Sequence, residues 1–283
     1  MTFGRFESGR TRAPLESSAT SEVLESAHKK AKRVLENRSY TIAPHEFDRT
    51  YSKEEVDSDT KLALERRAQY EHDRTAEQQE AYMLAEIFEA ILLSEGQESG
   101  WFGDDVKILK TTDYDDVINH TDLIAEWHPR TSRARALGLA VDVTFGPSTL
   151  EKKFSLLQDK IDRGQLGKLK YVHDEQKHAP HVVIGMSRET VRELMRLWTE
   201  EEYDALKKHP IQRVVLEQIC AQLAKLGAYA RSKGKESVAR AYAESLETIR
   251  PILAQKMHID AGALQSDAVA TGIARQLEKR FAV

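Results

Sequence analysis

Cysteine is almost absent from this chain. Cys220 is the only thiol in 283 residues, which excludes an internal disulfide and argues against a structural zinc cage. No long hydrophobic run reaches the length of a membrane span, and the N-terminal stretch MTFGRFESGRTRAPLESSATSE has no apolar signal-peptide core. A cytoplasmic, reducing compartment is the expectation, with no membrane partner. No glycine-rich phosphate loop occurs, so nucleotide-driven chemistry has no motif behind it. An excess of positive charge is missing too: the formal net charge is -4. That excludes an overall basic field for nucleic acid and leaves room only for a local basic cleft.

What the chain does have is charge of both signs, 31% of its residues, on a 40% hydrophobic background. Its length supports one sizeable core with helical additions. Residues 1–20 read as a flexible tail. Residues 21–75 read as a helical arm, whose HKKAKR stretch fits a solvated helix face better than a nucleic-acid patch. The segment from Ala81 to Leu93 is much more apolar and predicts a helix end that packs on a core.

The period then changes. VKILKTT, DLIAEWH and LGLAVDVTF predict three consecutive strands, the last rich in β-branched and aromatic residues. PSTLEKKFSLLQDKIDRGQLGK predicts a helix with Leu150, Phe154, Leu157 and Ile161 on its core stripe, stopped by Gly164 and Gly167. LKYVHD and HVVIGMS predict a fourth and a fifth strand, with the crossover helix returning the fourth to the same sheet, parallel to a neighbour. After Ser187, which opens a capped turn, only helices are predicted, with a break at His209-Pro210. The expected fold is α/β: a helix, a three-strand meander, a helix and a strand, over residues 76–187. A helical region over 188–283 would supply packing or homo-oligomer surfaces.

Two aspartates in this order call for an explanation. In LGLAVDVTF, Leu139, Val141, Val143 and Phe145 share one face, and Ala140, Asp142 and Thr144 the other, so Asp142 is the one ionisable group on its face. Asp122 opens the preceding strand, behind the acidic stretch DYDDVINHT. A hairpin can bring the two together, and converging carboxylates repel unless a hard cation such as Mg²⁺ or Mn²⁺ joins them. The competing reading makes Asp122 a turn or cap residue and pairs Asp142 with Arg133 or Arg135.

This order of elements and acids resembles the PD-(D/E)XK phosphodiesterase superfamily, the restriction-endonuclease-like fold, over residues 76 to 175. Asp115-Asp116 followed by Asp122 matches the acidic stretch before the family's second strand, and LAVDVTF matches the third-strand motif with Asp142 in the acidic place. The resemblance implies a Mg²⁺- or Mn²⁺-dependent nuclease with Asp122 and Asp142 as metal ligands and nucleic acid as partner. It also implies a glutamate from the preceding helix, either Glu86 or Glu89, with Glu86 preferred because Ile91 and Leu93 follow it at core spacing. The family's lysine is missing, and Thr144 stands in its place. Lys152 and Lys153, on the next helix, are the candidates to replace it. If neither does, the implied protein keeps the fold as a non-catalytic interaction module assembled through its C-terminal helices. The histidines His120, His128, His173, His178 and His181 match no zinc template, and Cys220 reads as a small core residue.

Overall fold

The computed structural model describes residues 13–72, 74–127, 137–144, 147–172 and 177–282, with side chains for these except 13–20, 137–144, 147, 148 and 263. Three helices come first: α1 (Ala13–Leu35), α2 (Lys53–His72) and α3 (Ala76–Glu98). Helix α1 thus begins inside the stretch expected as a tail. Its Ala27, Ala31 and Leu35 share the main apolar cluster with α3. Helix α3 opens on a capping box: Thr75 Oγ1 accepts from the Gln78 amide, and the Gln78 side chain accepts from the Thr75 amide at 2.8 Å. From Ile87 to Gly96 every residue of α3 is buried. A helix enclosed on all sides cannot be amphipathic, which is why its sequence loses its polar stripe after Glu89. Gly96 marks its closest approach to the sheet, since a Cβ there would collide with Ile108 and the Phe102 ring.

The sheet contains β1 (Val106–Lys110), β2 (Leu123–Trp127) and β3 (Leu137–Thr144), with the short helix α4 (Asp113–Val117) between the first two. They form an antiparallel meander, Val106 opposite Trp127 and Leu123 opposite Val141. Helix α5 (Pro147–Asp162) then crosses over, a small hairpin of β4 (Gly167–Lys168) and β5 (His178–Ala179) follows, and β6 (His181–Gly185) returns parallel to β3. The sheet order is β1-β2-β3-β6. Period-two alternation sorts the two faces as expected. Ile108, Leu123, Ala125 and Trp127 face the main core, while Leu109 and Ile124 join a smaller cluster with Ile42, Phe47 and Tyr171.

The expected fourth strand, LKYVHD, is corrected. None of its described residues, Leu169 to Val172, lies in a strand; the strand β4 precedes it and pairs with β5 in a separate two-stranded sheet. The cause is Asp115, whose carboxylate accepts from the amides of Lys170 at 2.7 Å and Tyr171 at 2.9 Å. Those donors are therefore withdrawn from any ladder. The strand that returns to the main sheet is the one expected fifth.

The C-terminal half is helical, as its sequence predicts: α6 (Arg188–Thr199), α7 (Tyr203–Lys208), α8 (Ile211–Ser232), α9 (Glu236–Lys256) and α10 (Ala268–Arg280). Ser187 caps α6 by accepting from the Thr190 amide, and the break at His209-Pro210 separates α7 from α8. These helices close the sheet at β6, whose outward backbone groups are met by side chains. Gln222 pairs with both the N–H (2.8 Å) and the C=O (2.7 Å) of Val183. Gln218 does the same for Gly185 at 3.2 and 3.0 Å, and the Tyr242 hydroxyl serves both groups of His181. Alternate residues of a parallel strand point their backbone groups outward, so side chains four apart on a helix can substitute for the absent neighbour strand. Among the described residues, no helix is long and apolar enough to cross a membrane.

Candidate active site

A groove of about 410 Å³ opens at the end of the meander, between α2, α3 and α5. Six chain segments contribute to it. Helix α3 supplies Tyr82, Glu86 and Glu89; β1 ends in it with Lys110; α4 supplies Asp116; the following turn supplies His120 and Asp122; and α5 supplies Lys152 and Lys153. Arg67 and Tyr70 from α2, with Arg74 just beyond, complete its lining.

The two lysines reach the groove because of the helix's own periodicity. Leu150, Phe154, Leu157 and Ile161 are buried as expected, which turns Thr149, Lys152, Lys153 and Leu156 to the other side. Lys152 is exposed and Lys153 half-buried. On α3, Glu86 and Glu89 lie one turn apart and both line the groove, so both sequence candidates are there. Glu86 accepts from the Tyr82 hydroxyl and is paired with His28 Nε2, each at 2.5 Å.

Glu89 is committed to a residue that the reading of the sequence passed over. Lys110 Nζ lies 2.6 Å from Glu89 and 3.7 Å from Asp116. Burial pushes the Glu89 carboxyl up, against the pull of Lys110. Burial also works against the Lys110 ammonium, but Glu89 and Asp116 outweigh it and hold it well above its ordinary value. The lysine is thus a fixed positive charge in an acidic floor. Its signal was present in VKILK, where Val106, Ile108 and Lys110 share the strand face that turns to the core. Arg67, 3.0 Å from both Asp113 and Asp116, had no such signal, because α2 is charged all round.

Asp115 and Asp116, adjacent in sequence, do different work. Asp116 lines the groove. Asp115 is fully buried and, besides the two backbone amides of the hairpin, accepts from Asn119 Nδ2 at 2.6 Å. The Thr121 amide also returns to the Asp115 carbonyl at 3.1 Å. This closes the turn tightly enough to hold His120 in the left-handed region, at φ 60°. The same turn delivers Asp122 to the head of β2, where its carbonyl accepts from the Thr111 amide.

Asp142 sits in β3, paired in register with Val183. The pairing of Leu123 with Val141, continued by one residue, sets Asp122 opposite Asp142. The Asp142 side chain, Phe145, His128, His173, Arg133 and Arg135 lie outside the described residues, and so does the arginine pairing considered for Asp142. Among the described residues, no group of three His, Cys, Asp or Glu side chains is arranged to hold a metal ion. Cys220 lies on α8, packed against the main core, with its thiol pushed up to about 11 by burial. His178 lies in the small hairpin. His181 is buried under α5, 3.4 Å from Lys160 Nζ, and its Nε2 has no hydrogen-bond partner.

No protein-family model, no curated protein and no solved structure matches this chain.

Proposed function

We propose that the chain is a divalent-metal-dependent nuclease, or a protein derived from one, with a restriction-endonuclease-like core of the PD-(D/E)XK kind. The observation that carries this reading is the register of Asp122 opposite Asp142 beside a groove that also gathers Glu86, Glu89, Lys152 and Lys153. Segments far apart in sequence supply these groups. Carboxylates and lysines are costly to gather in one recess unless a ligand of mixed charge, such as a metal-phosphate pair, is what they bind.

The donor set suits a hard cation. Asp122 and Asp142 offer carboxylate oxygens and no sulfur, which is the chemistry of Mg²⁺ or Mn²⁺. Bound there, such an ion supplies a Lewis acid and an acidified water. The chain's own residues would do the rest. Lys152 and Lys153 take the non-bridging phosphate oxygens and oppose the charge that develops on them. Lys110 keeps the acidic floor from repelling the substrate. Glu86, oriented by His28 and Tyr82, is placed to accept a hydrogen bond from water.

A second reading has its own support. Thr144 stands where the family's lysine belongs, and Lys110 already neutralises Glu89, which fits a fold kept as a non-catalytic interaction module assembled through its C-terminal helices. Cleavage assays on single- and double-stranded DNA and RNA with Mg²⁺ and Mn²⁺ separate the two. The nuclease reading expects cleavage that Asp142→Asn abolishes and that Lys152→Ala or Lys153→Ala lowers on the order of a hundredfold. No cleavage of any substrate by the wild type, together with a stable oligomer, would establish the module instead.

A further inference from the structure

Beside its acids and lysines the groove is lined by aromatic and guanidinium groups. Arg74 lies with its guanidinium carbon 3.7 Å from the centre of the Tyr82 ring, and the Tyr82 hydroxyl is anchored on Glu86. Beside them Tyr70, the last aromatic residue of α2, is 58% exposed. An aromatic ring left in water at the rim of a charged groove contributes nothing to folding. It is placed to cover a flat apolar ligand surface. Lys152 and Lys153 line the same groove, so it offers both cations for phosphate and rings for stacking.

The lining distinguishes between the forms of nucleic acid. The groove, of about 410 Å³, is lined in part by α2. Helix α2 is also tied down, by Arg67 to Asp113 and Asp116 and by Asp59 to Lys170 at 2.5 Å. A duplex keeps its base faces stacked inside and presents only backbone and base edges, so it has no face to lay on Tyr70 or the Arg74–Tyr82 stack. A single strand can turn out a base while its phosphate lies on the lysines. We infer that this groove takes single-stranded nucleic acid, one base stacking on Tyr70 and the Arg74–Tyr82 pair with the adjoining phosphate on Lys152 and Lys153. The inference deepens the nuclease reading and rests on it for the role of the acids.

Binding measured without metal separates the two. Fluorescence anisotropy with a short labelled oligo(dT), and with a duplex of equal length, is recorded in EDTA so that cleavage does not intervene. The single strand should bind about tenfold or more tighter than the duplex. Tyr70→Ala and Arg74→Ala should each weaken single-strand binding on the order of tenfold, with Tyr70→Phe retaining most of it. Lys152→Ala should weaken both forms and reduce the salt slope by about 0.7 for the single strand. Tyr70 is exposed, so its replacement leaves the fold intact, checked by circular dichroism. Equal binding of both forms, an unaffected Tyr70→Ala variant, or binding of neither form would overturn the inference, whatever the cleavage assays give. Tyr70-dependent single-strand binding without cleavage under any metal would overturn the nuclease reading alone.

Discussion

The two ends of the main sheet solve the same problem in opposite ways. At β6, exposed backbone groups meet neutral amides and a hydroxyl from α8 and α9, each N–H and C=O matched by Gln218, Gln222 or Tyr242. At the β1–β2 end, the polar groups are charged: Lys110 lies 2.6 Å from the buried Glu89 and 3.7 Å from the half-buried Asp116. The first arrangement satisfies every group and has no capacity left for a ligand. In the second, charges balance only pairwise and adjoin a groove, so a charged ligand can enter the network. Polar burial alone is common to both ends; it is the charged end that adjoins the open groove.

The largest stability effect is expected at the charged end. Lys110→Met removes the cation from Glu89 and should cost about 3–5 kcal/mol near neutral pH, while adding Glu89→Leu should recover most of it. Without Lys110, burial leaves the Glu89 carboxyl raised above its unfolded value. The folded state then holds a proton that the unfolded chain gives up. The penalty is therefore small at pH 4 and grows as pH rises through the ordinary carboxylate range. Urea midpoints at pH 5 and 8 check this, and an equal loss at both would show that Glu89 is not the group responsible.

At the neutral end, Gln222→Leu leaves the Val183 N–H and C=O without partners and should cost about 2–4 kcal/mol. Unlike Lys110→Met, its loss should not vary with pH, and oligo(dT) binding by the folded fraction should be unchanged. A cost below about 0.5 kcal/mol would mean that water replaces the glutamine and that the edge is less enclosed than it looks.

His181 opens β6 at the neutral end, with its side chain beside Lys160 of α5. Burial, then Lys160, Lys153 and His120, hold its imidazole well below the ordinary range. The unfolded chain takes up a proton below pH about 6.5 that the folded chain refuses. Stability is therefore complete above that pH and should fall below it by up to about 1.4 kcal/mol per pH unit. His181→Gln should flatten that slope in denaturation series from pH 5 to 7, and a slope unchanged by the substitution would point to another group.

The smallest effect belongs to the α2 tether. Arg67 is about one-third exposed, and Arg67→Ala should cost about 1 kcal/mol or less. The loss should shrink in high salt, as screened surface pairs do. A loss of several kcal/mol would mean that α2 belongs to the core as firmly as α3 does.

Much of this was legible in order and period. The three-strand meander, the core stripe of α5, the capped start of α6 and the break at His209-Pro210 all follow from spacing and local chemistry. So does the meeting of Glu86, Glu89, Asp122, Lys152 and Lys153, because strand order and helix phase fix where each one points. The fate of LKYVHD was not legible. As a six-residue window it has strand composition, but an aspartate 55 residues away in sequence claims two of its amides. Lys110 was half legible: its place on the core-facing side of VKILK could be read, while its partners could not.

The sequence by itself determined which residues alternate, which repeat at helical spacing and where helices must stop, since these depend on neighbours along the chain. It also set Asp122 and Asp142 on consecutive strands. Only the tertiary structure decided that Asp115 holds a hairpin while Asp116 lines a groove, that Lys110 neutralises Glu89, and that two glutamines close the sheet. Each of those outcomes depends on which donor lies within about 3 Å of which acceptor, and that distance is set by packing between elements that the chain order leaves far apart.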